Sequence, residues 1–189
     1  MVSIYFLLNA GAYGYLFWLP SALEKAKTLS SLAVGILFAI PYLITGVAMI
    51  LNSQHSDKTR ERHRHVASGL AWTGVCLLLG VAFSQLPFAL SFIFIFLAGA
   101  GTYSALGPFW AIPTETLPRH VAGPAMGLIN ALGNLGGYFG PLAVGTLNKH
   151  TGNFQYGFAV LSVGLLVAAG LALLLAPVRT AAPVAPGGK

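Results

Sequence analysis

The chain has 189 residues, of which 56% are hydrophobic and only 7% charged, and its mean hydropathy is strongly positive. A soluble domain of this length could carry that composition only by exposing a large apolar surface, so the solvent for most of the chain is lipid. The formal charge of +6 does not indicate nucleic-acid binding, because the basic residues lie in short connectors between apolar runs and form no stripe interleaved with aromatics.

A helix needs about 20 apolar residues to cross a bilayer. Cutting the chain at its polar punctuation gives six such segments, at residues 2–23, 32–51, 66–84, 88–111, 125–147 and 156–176. The four acidic residues (Glu24, Asp57, Glu61, Glu115) and all ten Lys and Arg fall outside these segments or at their ends, as the cost of burying charge in hydrocarbon requires. The expected architecture is all-α: a polytopic six-helix transmembrane bundle over residues 1–176, followed by a disordered tail at 177–189 rich in Ala, Pro and Gly.

The first segment opens at Met1 with no basic flank and is too long for a secretory signal. On this reading the chain starts in the middle of a larger architecture. Within the segment, Asn9 and Tyr13 lie four residues apart with Gly11 and Gly14 beside them, which places both polar groups on one helix face.

Between the second and third segments, residues 53–65 (Ser-Gln-His-Ser-Asp-Lys-Thr-Arg-Glu-Arg-His-Arg-His) hold most of the charge of the chain. Lys58, Arg60, Arg62 and Arg64 here, with Arg119, Arg179 and Lys189, share one side of the membrane; Lys25, Lys27 and Lys149 lie on the other. By the positive-inside rule the first group is cytoplasmic, which puts both termini in the cytoplasm of a protein in the inner or plasma membrane. His55, His63 and His65 with Asp57 and Glu61 make a poor metal site, since neighbouring arginines oppose a divalent cation. Cys76, alone in the third segment, reads as a small buried hydrophobe.

The fourth segment contains Gly107-Pro-Phe-Trp-Ala-Ile-Pro113, where two prolines predict a broken helix around Trp110. Such a break is tolerated in a membrane where it lines a cavity. In the fifth segment Asn130 and Asn134 again lie four apart, flanked by glycines 133, 136, 137 and 140 and by Pro141, a candidate bend. An amide without partners in hydrocarbon costs several kcal/mol, so both must face protein or water. They serve either as glue between helices or as one wall of a polar cavity at mid-membrane depth.

Sliding the sequence by about half its length aligns Phe17-Trp18 with Phe109-Trp110, and Ala33, Gly35 and Ala39 with Ala125, Gly127 and Ala131. Two three-helix sets of opposite orientation would form an inverted-topology repeat, as in secondary transporters. The chain has no Gly-x-Ser-x-Gly elbow, no His-Glu-x-x-His and no phosphate-cradling Gly-Lys-Ser/Thr. Enzymatic activity and a bound cofactor therefore find no support.

Taken together, these segments resemble the C-terminal half of a major facilitator superfamily transporter, more narrowly the anion:cation symporter group that carries tartrate, phthalate, hexonates, hexuronates and hexarates. Residues 56–63 resemble its loop between helices eight and nine, 13–20 the end of helix seven, 107–114 helix ten and 127–141 helix eleven. The resemblance implies proton-coupled symport of an organic anion by alternating access, with Asn9, Tyr13, Trp110, Asn130 and Asn134 as substrate contacts. It implies a conformational role at the gate for Asp57, Lys58 and Arg62. Ser53 stands where that loop usually has Gly. No segment holds an Asp, Glu, Lys, Arg or His in its interior, although a proton-coupled carrier needs a titratable group in the membrane. The partner expected to supply it is an N-terminal six-helix half, covalent or separate. The rival readings are a homodimerising six-helix facilitator and a non-transporting regulatory fragment or scaffold.

Overall fold

The computed structural model describes residues 1–26, 31–84 and 88–175. The expected tail at 177–189, with Arg179 and Lys189, and Lys27 lie outside the described residues.

A chain in lipid must satisfy its backbone hydrogen bonds internally, and regular structure among the described residues is entirely α-helical. The helices are α1 (Val2–Ala26), α2 (Ser31–Thr59), α3 (Arg62–Ala82), α4 (Phe88–Thr102), α5 (Leu106–Thr116), α6 (Arg119–Asn134), α7 (Gly136–Thr151) and α8 (Gln155–Leu173). Only residues 103–105 separate α4 from α5, and only Leu135 separates α6 from α7. The eight segments therefore make a six-helix bundle.

Among the described residues, five stretches are long and apolar enough to cross a membrane: Val2–Ser21, Gly35–Thr59, Arg62–Ala82, Ile93–Thr116 and Gln155–Leu173. The fifth expected segment is not among them because its helix is interrupted into two pieces of 16 residues. The interruption sits at Leu135, while Pro141, the expected bend, lies within α7. Leu135 N–H turns to the Leu132 carbonyl at 3.3 Å, a bond one residue shorter than the α-helical pattern. Gly133, Gly136 and Gly137 surround this point with weak helix formers, whereas Pro141 lies inside α7 without ending it.

Two further expectations are corrected. Residues 53–65 are mostly not a loop: α2 continues to Thr59, α3 begins at Arg62, and the turn is Arg60-Glu61, with Arg60 in the left-handed region at φ 59°. Ser53 thus lies within α2 and has no bearing on the turn; its hydroxyl fills the space where a Cβ on Gly107 would sit. The helix break near Trp110 precedes residues 107–113. Pro108 occupies the first turn of α5, where a missing N–H costs nothing.

The packing centres on α1, which runs against α6, α7 and α8, while α3 packs between α4 and α8. The approach of α1 to α7 depends on glycine, since a Cβ at Gly136 would overlap the Phe6 carbonyl and one at Gly140 the Ala10 carbonyl. Trp18 closes the far end of this contact, its indole N–H donating to the Pro141 carbonyl at 2.8 Å. Cys76 is buried in the core with Leu77 and Leu70.

Candidate functional site

Asn9 is 3% exposed, and its amide nitrogen is engaged by α6. Its Nδ2 donates to the Gly133 carbonyl at 3.3 Å and to Asn134 Oδ1 at 3.4 Å. Asn134 Nδ2 donates in turn to Asn130 Oδ1 at 2.9 Å. The three amides form a relay from the bundle interior to an open face, every donor pointing the same way. Asn130 and Asn134 are exposed, and the Nδ2 of Asn130, at the end of the relay, has no hydrogen-bond partner among the described residues.

An aromatic wall continues from the relay. The ring of Tyr5 occupies the space a Cβ on Gly133 would need, stacks on buried Phe109 at 5.3 Å between centroids and meets Trp110 edge-on at 5.0 Å. Trp110 is half-buried. The structure thus brings Asn9, Trp110, Asn130 and Asn134 to one wall made by α1, α5 and α6.

Tyr13 stands one turn beyond Asn9. It is 38% exposed, leans over Gly137, where a Cβ would meet its ring at 3.1 Å, and lines a cleft of about 290 Å³ on the α2 side of α1. Tyr5 completes the series Tyr5, Asn9, Tyr13, each four residues from the next. Tyr5 was not among the expected contacts; the signal for it was this spacing, one turn before Asn9. The two Phe-Trp pairs of the expected repeat differ in surroundings: Phe17 is 67% exposed and Phe109 fully buried.

At the other end of the bundle, Arg62 opens α3 with its side chain 6% exposed. It makes a two-pronged contact with Glu115 on α5, Nη2 to Oε1 at 2.7 Å and Nε to Oε2 at 3.3 Å. It also donates to Ser56 Oγ at 3.1 Å and pairs with Asp57 near the end of α2. One guanidinium therefore joins three helices. Glu115 was not among the expected gate residues; the signal for it was an acid at the end of a span otherwise free of charge. Lys58 points to solvent and makes no ion pair among the described residues. Beside this knot, His65 Nδ1 lies 2.8 Å from the Glu61 carbonyl and His65 Nε2 lies 2.7 Å from His55 Nδ1, which ties α2 to α3 a second time. Among the described residues no three His, Cys, Asp or Glu side chains gather closely enough to hold a metal ion.

Residues 1–189 match the sequence pattern of the Major Facilitator Superfamily. The chain is 36% identical over 180 residues to a protein of Agrobacterium vitis named "Putative tartrate transporter", with 93% of this chain and 38% of that protein covered. It is 28% identical over 183 residues to the "Probable galactarate/D-glucarate transporter GudP" of Escherichia coli K12, covering 89% of this chain and 39% of that protein. A "Quinolone resistance transporter" of Acinetobacter baumannii is 28% identical over 167 residues, covering 88% and 38%. The chain therefore spans about two-fifths of the length of the curated relatives it matches.

Proposed function

The chain belongs to the Major Facilitator Superfamily, a family of membrane transporters and not of enzymes, and on that premise we propose that it is the C-terminal half of a proton-coupled organic-anion symporter. The substrate class is a small hydroxylated carboxylate of the tartrate or hexarate type. The observation that carries this reading is the relay Asn9–Asn134–Asn130, which ends on an open face, with Tyr5 linking Gly133 beside it to Trp110. An amide donor held in place by two others and left without a protein partner is suited to a ligand oxygen.

The open face extends beyond the amides. Leu128, Leu132, Leu135, Tyr138, Phe139 and Leu142 are all exposed along α6 and α7, too much apolar surface to leave against a polar cavity. A second six-helix bundle covers this face, and rocking of one bundle on the other alternately opens the site to each side of the membrane. The cation that meets the carboxylate and the group that takes the proton belong to that second bundle, because the interiors of the spans here hold no charged side chain.

The Arg62–Asp57–Glu115 knot joins the ends of α2, α3 and α5 and holds them as one rigid lever during that motion. With the basic connectors inside, both termini are cytoplasmic. Asn130→Ala is the test of the site. In membranes of cells that make the protein it should reduce tartrate or galactarate uptake at least tenfold while the amount inserted stays constant; unchanged uptake removes Asn130 from the site.

A further inference from the structure

We infer that Tyr42 and Tyr103, together with Tyr13, form a subsite that binds the hydroxyl groups of the substrate and so separates hydroxylated acids from their deoxy analogues. The inference rests on the transport reading above and concerns which groups of the substrate face this bundle.

The cleft of about 290 Å³ lies between α1, α2 and the junction of α4 with α5, and it is lined by Tyr13, Leu16, Phe17, Pro20, Tyr42 and Tyr103. Three helices that are distant in sequence each contribute one tyrosine. The volume suits an acid of four to six carbons, near the lower end of small-molecule pockets at roughly 300 Å³. Among the described residues the lining contains no charged side chain, and so offers a carboxylate no counter-charge. Each phenol is both a donor and an acceptor, the chemistry that an alcohol group matches. Leu16, Phe17 and Pro20 provide an apolar surface for the C–H face of the carbon chain.

The backbone gives an independent reason to read this cleft as functional. Tyr103 is the first of the three residues at which the α4–α5 helix is interrupted, with Leu106 N–H closing a turn onto the Tyr103 carbonyl at 3.0 Å. Irregular backbone within a span is tolerated where it borders protein or a cavity, and here it directs a tyrosine to the cleft. Tyr13 lies one turn from Asn9 on α1 and beside Gly137 of α7, so the cleft begins next to the amide relay. A dicarboxylate of the tartrate type lying across it presents its central alcohol carbons to this bundle and the carboxylates at its two ends to the opposite one.

The test pairs a hydroxyl on the protein with hydroxyls on the ligand. Tyr103→Phe and Tyr42→Phe keep the rings and their packing. Half-saturation for counterflow of tartrate and of succinate, which lacks both alcohol groups, is measured in membranes of cells making each variant. A lost hydrogen bond is worth about 0.5–1.5 kcal/mol, so each variant should raise the tartrate constant by about 2- to 13-fold and leave the ratio of variant to wild-type constant for succinate within about twofold of one. Equal weakening of both ligands, or no change for tartrate, overturns the subsite. If the wild-type membranes carry neither acid, the transport reading itself fails, and the subsite with it.

Discussion

Arg62, the first residue of α3, grips both carboxylate oxygens of Glu115, the penultimate residue of α5, across 53 positions of sequence. The guanidinium and carboxylate planes match in a way a lysine could not reproduce. Removing Glu115 leaves the buried Arg62 with only the mostly exposed Asp57 as counter-charge; losing one partner costs about 3–5 kcal/mol for fully buried pairs and less here, since Glu115 is a quarter exposed. Glu115→Ala should therefore lower the thermal midpoint in detergent by several degrees. Asp57→Ala should cost less, because its carboxylate is mostly exposed.

The close approach of α1 and α7 leaves no room for a methyl group at Gly136 or Gly140. Alanine at either should force the helices apart and destabilise the bundle by about 1–3 kcal/mol or more. Gly170→Ala, in α8 with nothing within 4 Å of the added carbon, should instead gain about 0.5–1 kcal/mol from helix propensity. Thermal unfolding of the three variants in one detergent checks the contrast.

Arg60 adopts φ 59° at the turn between α2 and α3, a conformation glycine accepts without a Cβ penalty. Its ion pair with Glu115 is long, at 3.8 Å, and the arginine is largely exposed, so little is lost with the side chain. Arg60→Gly should raise the thermal midpoint, by up to about 1 kcal/mol in stability. A lower midpoint would show that the side chain outweighs the backbone strain.

Asn9 and Asn130 sit at opposite ends of one relay and should respond differently to mutation. Asn9→Leu buries an apolar group against the Gly133 carbonyl and strips Asn134 of its donor, so it should reduce both folded yield and uptake. Asn130→Ala removes an exposed amide and should reduce uptake alone. Quantifying membrane-inserted protein beside tartrate uptake separates the two.

Hydropathy located where the chain meets lipid but not where its helices end. The α2 helix runs past its apolar limit to Thr59, because helical hydrogen bonding does not depend on hydrophobicity and a charged turn is stable in water. Prolines misplaced the breaks for a related reason. Pro108 falls in a first turn and Pro141 is accommodated within α7, while glycines at 133, 136 and 137 weaken the helix where no proline stands. The convergence of Asn9, Asn130 and Asn134 was legible from paired four-residue spacings, since amides in hydrocarbon must find one another or water. The pairing of Glu115 with Arg62 and the Tyr42–Tyr103 cleft were not legible, because both depend on contacts between helices far apart in sequence.

The most direct test is uptake of labelled tartrate into right-side-out membrane vesicles from cells that make this chain and from cells in which it has been deleted, with the outside made acidic. Accumulation above the external concentration, dependent on the chain and abolished by a protonophore, is the predicted result. Equal accumulation in both membranes, for tartrate and galactarate alike, would contradict a role for this bundle in proton-coupled organic-anion transport.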